Sequence, residues 1–198
     1  MENTQKYTFC NRGQFASCSY EDMESVLREY GKGNWRIATM AQTLQFSPLG
    51  DTAFFWTSTK NLFTSKGIIV FDDPDKKMPS DEIELMKIYN EGNPAVRFVE
   101  HGFKRGEQSV SDFVKNPLVI AQAGNKDLMD VVAQRANCIN PNKAYVMSDY
   151  LQGNKKKPIR YSALDSYGVC GQFLHMYYDV GEDMNGAICG YMQKVRED

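Results

Sequence analysis

The segment Gly168-Val169-Cys170-Gly171-Gln172-Phe173 sets a thiol among glycines, and it is the sharpest pointer to enzymatic chemistry in the chain. Glycines let a substrate approach the backbone. A cysteine attacks as a thiolate, which forms at neutral pH only beside an imidazole, a cation or a helix N-terminus. The chain has two histidines, His101 and His175. His175 lies five residues after Cys170, so in a strand the two face opposite sides and in a helix they align poorly. Only His101 is left to reach Cys170, through tertiary structure. A cysteine-dependent hydrolase or transferase using Cys170 and His101 is therefore an alternative reading. The plainer one is a small buried thiol in a Gly-rich hairpin, and the sequence leans away from an enzyme.

Basic residues offer a second chemistry. Taking Val96, Val99 and Phe103 as the buried stripe of a helix over 94–105 places Arg97, His101, Lys104 and Arg105 on its outward side. The run Lys155-Lys156-Lys157-Pro158-Ile159-Arg160-Tyr161 adds charge and one ring. Together they would neutralise phosphates and stack a base, which makes a polyanion or nucleic acid a secondary partner. Asp72, Asp73 and Asp75 follow an apolar run, where a divalent ion often sits, but Asp-Asp-Pro-Asp is more simply a turn. No metal or cofactor is expected. The turn at Ala123-Gly124-Asn125-Lys126 lacks the further glycines of a dinucleotide loop and the Gly-Lys-Ser/Thr of a P-loop.

The third chemistry is contact. Tyr161, Tyr167, Tyr177, Tyr178 and Tyr191 crowd the last third of the chain beside Phe173, Met176, Met184 and Met192. A strand with rings on both faces must cover both, with its own domain or with a partner. The leading expectation is a non-enzymatic protein-binding or assembly module. It would act on another protein, or on copies of itself, through Phe173, Tyr177, Tyr178 and Tyr191 on a C-terminal hairpin.

The elements that would position these residues follow from local pattern. Ser19 with Asp22 opens a helix over 20–30, closed by Gly31, and Lys6–Cys10 alternates as a strand. The stretch 34–46 fits strand or helix. Asp51–Thr59 is rich in β-formers, and Lys66–Phe71, with Ile68, Ile69, Val70 and Phe71 in a row, reads as a strand covered on both faces. Ser80 caps a helix through Asn90, Asn93-Pro94 starts the helix over 94–105, and Ser109 with Asp112 opens a short helix. Leu118–Ala121 reads as a buried strand, 126–137 as a helix, and Ala144–Leu151 as a strand. Val169–Val180 and Ala187–Val195 read as a hairpin turning at Asn185-Gly186.

These elements make a single α+β domain over 1–198: a mixed or antiparallel sheet, four to five helices and a C-terminal β-hairpin. Composition agrees with a folded chain of 198 residues, being 42% hydrophobic and 12% aromatic. The net charge of −2 is spread evenly, with 11 basic and 13 acidic residues in the first 99 and 12 of each in the rest. No global field therefore draws the chain onto nucleic acid or a membrane surface. The five cysteines lack zinc-site spacing, the first residues are polar, and no apolar run nears the roughly 20 residues of a membrane helix. A cytoplasmic, soluble protein is the expectation.

Overall fold

In the computed structural model the described residues are 7–10, 35–46, 54–73, 76–147, 159–165, 174–180, 187–188 and 191–194. The centre is β3 (Phe54–Phe63), which turns at Thr64–Lys66 into antiparallel β4 (Gly67–Phe71). Thr64 ties the turn, its hydroxyl accepting from the Gly67 and Lys66 amides. β5 (Val96–Glu100) adds antiparallel to β4 and forms one edge. On the other side of β3 come β8 (Ile159–Asp165), β9 (Leu174–Val180), β7 (Ala144–Met147) and β6 (Gly106–Gln108). The pair β7–β9 is parallel, and two-residue β10 (Ala187–Ile188) pairs parallel with β3. A smaller antiparallel sheet sets β11 (Tyr191–Lys194) between β1 (Tyr7–Cys10) and β2 (Trp35–Ile37).

Five helices are described, all short: α1 (Met40–Phe46), α2 (Glu82–Asn90), α3 (Val110–Phe113), α4 (Pro117–Ala123) and α5 (Met129–Ile139). Alternation along each strand divides the sheet into two faces. One face sends Ile68, Val70, Val99, Leu164, Met176, Tyr178 and Val146 into the main core, where Met40, Leu44, Phe113, Leu118 and Val132 come from the helices. The opposite face sends Leu62, Ile69, Phe71 and Val96 into a smaller core closed by Leu85 of α2 and by Met78.

Several expectations need correction. The fold is dominated by its curled, mixed seven-strand sheet and is not a helix-bearing α+β domain with a terminal hairpin. β9 pairs with β8 and β7, while β10 and β11 pair elsewhere, so the described strands of 169–195 do not pair with one another as the expected hairpin. The turn expected at Asn185-Gly186 lies outside the described residues. The helix over 94–105 is strand β5 and a loop: Val96 and Phe98 face one side of the sheet, Arg97 and Val99 the other. Leu118–Ala121 is helix, not strand, because Asn116 Oδ1 accepts from the Leu118 amide and Pro117 occupies the first helical position. Asn93 makes the same kind of local bond, to the Ala95 amide, but the Val-Arg-Phe-Val that follows alternates and pairs with β4. The helix over 20–30 lies outside the described residues.

At Gly67, β5 leaves no room for a side chain. A methyl there would run into the Val99 carbonyl oxygen and come within 2.9 Å of the Phe98 ring. The Phe98 ring can swing aside, but the Val99 carbonyl is backbone and cannot yield without disturbing the β4–β5 ladder. Gly67→Ala is expected to lower unfolding free energy by about 2–3 kcal/mol, measured by urea titration. An unchanged midpoint would mean that the edge is loosely paired.

Candidate binding surfaces

Tyr177 and Tyr178, the expected contact residues, are 5% and 0% exposed. They point to opposite faces and both faces are covered, so neither ring is offered to a partner. Tyr178 stacks on Phe63 at 5.9 Å and meets Phe103 edge-on at 5.7 Å, inside the main core. Tyr177 lies on the other face, 6.1 Å from His175, which in turn lies 5.2 Å from Tyr145. The same row continues through Trp56 and Tyr161, rings 6.2 Å apart and perpendicular, with Lys60 over Tyr161. Its centre is buried, and Tyr145 and Tyr161 at its ends are half-buried. Tyr191 falls in β11, opposite Cys10 and Ile37. Cys170, Phe173, Lys155, Lys156 and Lys157 lie outside the described residues.

Arg97 is not an outward cation. Its side chain is 21% exposed and bonds Asp72 Oδ2 through both terminal nitrogens at 3.3 Å, and Nη1 also donates to the Ala121 carbonyl at 2.9 Å. It therefore closes the last turn of α4, where carbonyls lack intrahelical partners. Asp72 accepts in addition from Thr59 Oγ at 2.6 Å, and that same hydroxyl receives the Met40 amide at 2.9 Å. One chain of bonds thus joins the start of α1, β3, the end of β4, β5 and the end of α4. Asp73 pairs with Lys76 at 3.3 Å. Among the described residues no three His, Cys, Asp or Glu side chains gather as a cation site needs.

His101 is exposed on the β5–β6 connection, its Nε2 3.0 Å from the Thr64 carbonyl. Lys104 and Arg105 are exposed on the same connection, and the Arg105 guanidinium lies over the Phe103 ring at 5.3 Å. Of the expected polyanion contacts, then, this connection keeps Lys104 and Arg105 together and Arg97 leaves for the interior.

The surface that sequence reasoning missed is on α2. Leu85 is buried against the smaller core and Tyr89 lies 6.2 Å from Phe98. Ile83, by contrast, is 78% exposed. Ile83 and Met86, three residues apart and so on one helix face, line an open groove of about 550 Å³ with Glu82, Lys87, Asn90 and Glu91. Ile83 and Tyr89 are the large exposed apolar side chains among the described residues. The signal was present in the sequence as an isoleucine among acids, Asp81-Glu82-Ile83-Glu84, ahead of the buried stripe.

With this geometry in place, comparison with known proteins adds the fold. A solved structure described as "Accommodation of massive sequence variation in Nanoarchaeota by the C-type lectin fold" is similar with a TM-score of 0.58. The likeness covers 96% of this chain and 98% of that one, at 11% identity. The sheet-dominated architecture is thus a C-type lectin fold, which replaces the α+β expectation. No protein-family model and no curated protein matches the sequence. Among the described residues no helix is long and apolar enough to cross a membrane.

Burial raises the Asp72 carboxyl above the ordinary aspartate value; the Arg97 charge and the Thr59 and Arg97 hydrogen bonds pull against it, and Asp73 adds to the rise. An acid raised in the folded state contributes stability that is full below its unfolded value and is lost as pH rises through the folded one. Asp72→Asn removes that titration. Urea unfolding from about pH 3 to pH 7 is expected to show the wild type's advantage over Asp72→Asn shrinking as pH rises. An advantage that grows with pH would show that the ion pair outweighs burial.

Proposed function

We propose that this protein is a binding module built on a C-type lectin fold, and that it captures a basic, apolar-anchored segment of another protein on the outer face of α2. The carrying observation is Ile83: a large aliphatic side chain, 78% exposed, beside Met86 at the mouth of an open groove. Leaving it in water gains nothing for folding. Covering such a side chain fully is worth about 1.5–3 kcal/mol to a partner.

Charge selects the kind of partner. Residues 81–91 carry Asp81, Glu82, Glu84 and Glu91 against Lys87 alone, a net of −3, and Lys87 leans toward Glu91 at 4.0 Å. Two copies meeting symmetrically on this face would set like charge against like, which disfavours self-association through it. A segment with Lys or Arg around one or two apolar anchors suits both the groove and its rim. One helix face makes a small interface, so the affinity belongs in the micromolar range, about 10⁻⁶ M. The similar structure is described as an accommodation of massive sequence variation by the C-type lectin fold, which is consistent with a binding scaffold.

The test uses a displayed library of randomised helical peptides selected on the full chain. Enriched peptides are expected to carry net positive charge and apolar residues spaced three or four apart, and to bind Ile83→Glu about tenfold or more weaker than wild type. Because Ile83 is 78% exposed and belongs to neither core, the variant should melt close to wild type. Selected peptides that bind both proteins equally would sink the proposal.

A further inference from the structure

The β3–β4 turn and the β5–β6 connection lie side by side at one end of the sheet. The His101 amide donates to the Lys66 carbonyl at 3.1 Å, and the His101 ring reaches the Thr64 carbonyl. Lys66, His101, Lys104 and Arg105 are all exposed there. Lys66, Lys104 and Arg105 make no ion pair with any described residue. Two acids lie near: Glu107 on β6 holds Lys143 Nζ at 2.7 Å and the Tyr145 hydroxyl at 2.7 Å while also feeling the Lys104 charge, and exposed Glu100 ends β5 opposite Gly67.

The connection that carries these cations is held firmly. Phe103 is driven into the main core against Tyr178, under Arg105. Gly102 and Gly106, at φ 105° and 78°, supply the reversals that turn Phe103 inward while its neighbours stay out. The Lys104 carbonyl accepts from Asn116 Nδ2 at 2.7 Å and from Gln108 Nε2 at 3.0 Å, and those two buried amides bond each other at 3.1 Å. Two buried polar side chains thus fix the backbone between adjacent cations. A loop serving only solubility needs no such anchoring, since solvated lysines work equally well on a mobile segment.

We propose that this end of the sheet is an anion site for a compact ligand with closely spaced phosphate groups, a di- or triphosphate moiety, held by Lys66, Lys104 and Arg105 beside His101. Arginine supplies a planar fork and the lysines point charges, the combination that phosphate oxygens take. Neither turn carries an exposed ring on which a base would stack, so the phosphates, not a nucleobase, are what the site reads. The site is separate from α2, and its cations are the complement of that helix's acids.

Calorimetric titration of the full chain with inorganic tripolyphosphate at low salt tests this. Wild type is expected to bind, and the double change Lys104→Gln/Arg105→Gln to bind at least about tenfold weaker, as losing a pair of charge-assisted bonds implies. Lys66→Gln should show a smaller loss. Lys76→Gln, which removes one charge at the opposite end of β4, should match wild type. Thermal melts confirm that each variant folds, all four side chains being exposed. No binding by wild type, or equal weakening by Lys76→Gln, would overturn the site. A DNA duplex of about 20 base pairs that binds more than tenfold tighter than tripolyphosphate would also overturn it, by showing that an extended strand is read.

Discussion

Thr57, Thr59 and Asn61, spaced by two along the central strand, are all buried, and a buried polar group without a partner costs about 1–3 kcal/mol. The strand can therefore sit inside the protein only where other elements bring partners to it. Thr57 donates to the Ser162 carbonyl on β8 at 2.8 Å. Asn61 donates to Ser162 Oγ at 2.8 Å and to the Tyr178 carbonyl on β9 at 3.0 Å, and accepts from Gln122 of α4 at 2.8 Å. Thr59 completes the set through Asp72 and the Met40 amide. Between them these bonds reach both neighbouring sides of β3 and the helix layer above it. Apolar contacts would hold the same elements with less orientation.

Long basic side chains extend the same logic to the short helices. α1 and α4 have seven residues each, too few to be stable by propensity. Arg97 bonds the Ala121 carbonyl near the end of α4, and buried Arg135 bonds the Leu44 carbonyl near the end of α1, at 2.8 Å. Arg135 supplies the Leu44 carbonyl with a donor, and Arg97 adds a second, shorter bond to the Ala121 carbonyl, which the Gly124 amide also reaches at 3.3 Å. This is why Arg97, a surface cation by helical spacing, belongs to the interior.

What was legible in the sequence was local. Ser109 caps a helix, the Ile68–Phe71 run is a strand buried on both faces, and the helix expected from Ser80 through Asn90 is present, capped one residue later by Asp81. What was not legible depended on partners far away. Asn93-Pro94 and Asn116-Pro117 are the same dipeptide, yet one leads into a strand and the other into a helix, because only the first is followed by residues that β4 can pair. The polar interior of β3 read simply as β-formers, since Ser162, Tyr178 and Gln122 stand 61 to 117 positions away. Tyrosines on both faces of β9 suggested a contact surface, whereas the sheet is covered on both sides. The even charge of the whole chain likewise concealed an acidic helix face and a basic sheet end that offset each other in the sum.

The bond between Asn61 and Gln122 is the most direct handle on this account, since it joins the central strand's polar interior to α4 in a single step. A double-mutant cycle of Asn61→Ala and Gln122→Ala, read by urea unfolding, is predicted to give a coupling of about 1 kcal/mol or more. Strictly additive effects, within about 0.3 kcal/mol, would contradict the claim that this buried polar set orients the helix layer on the sheet.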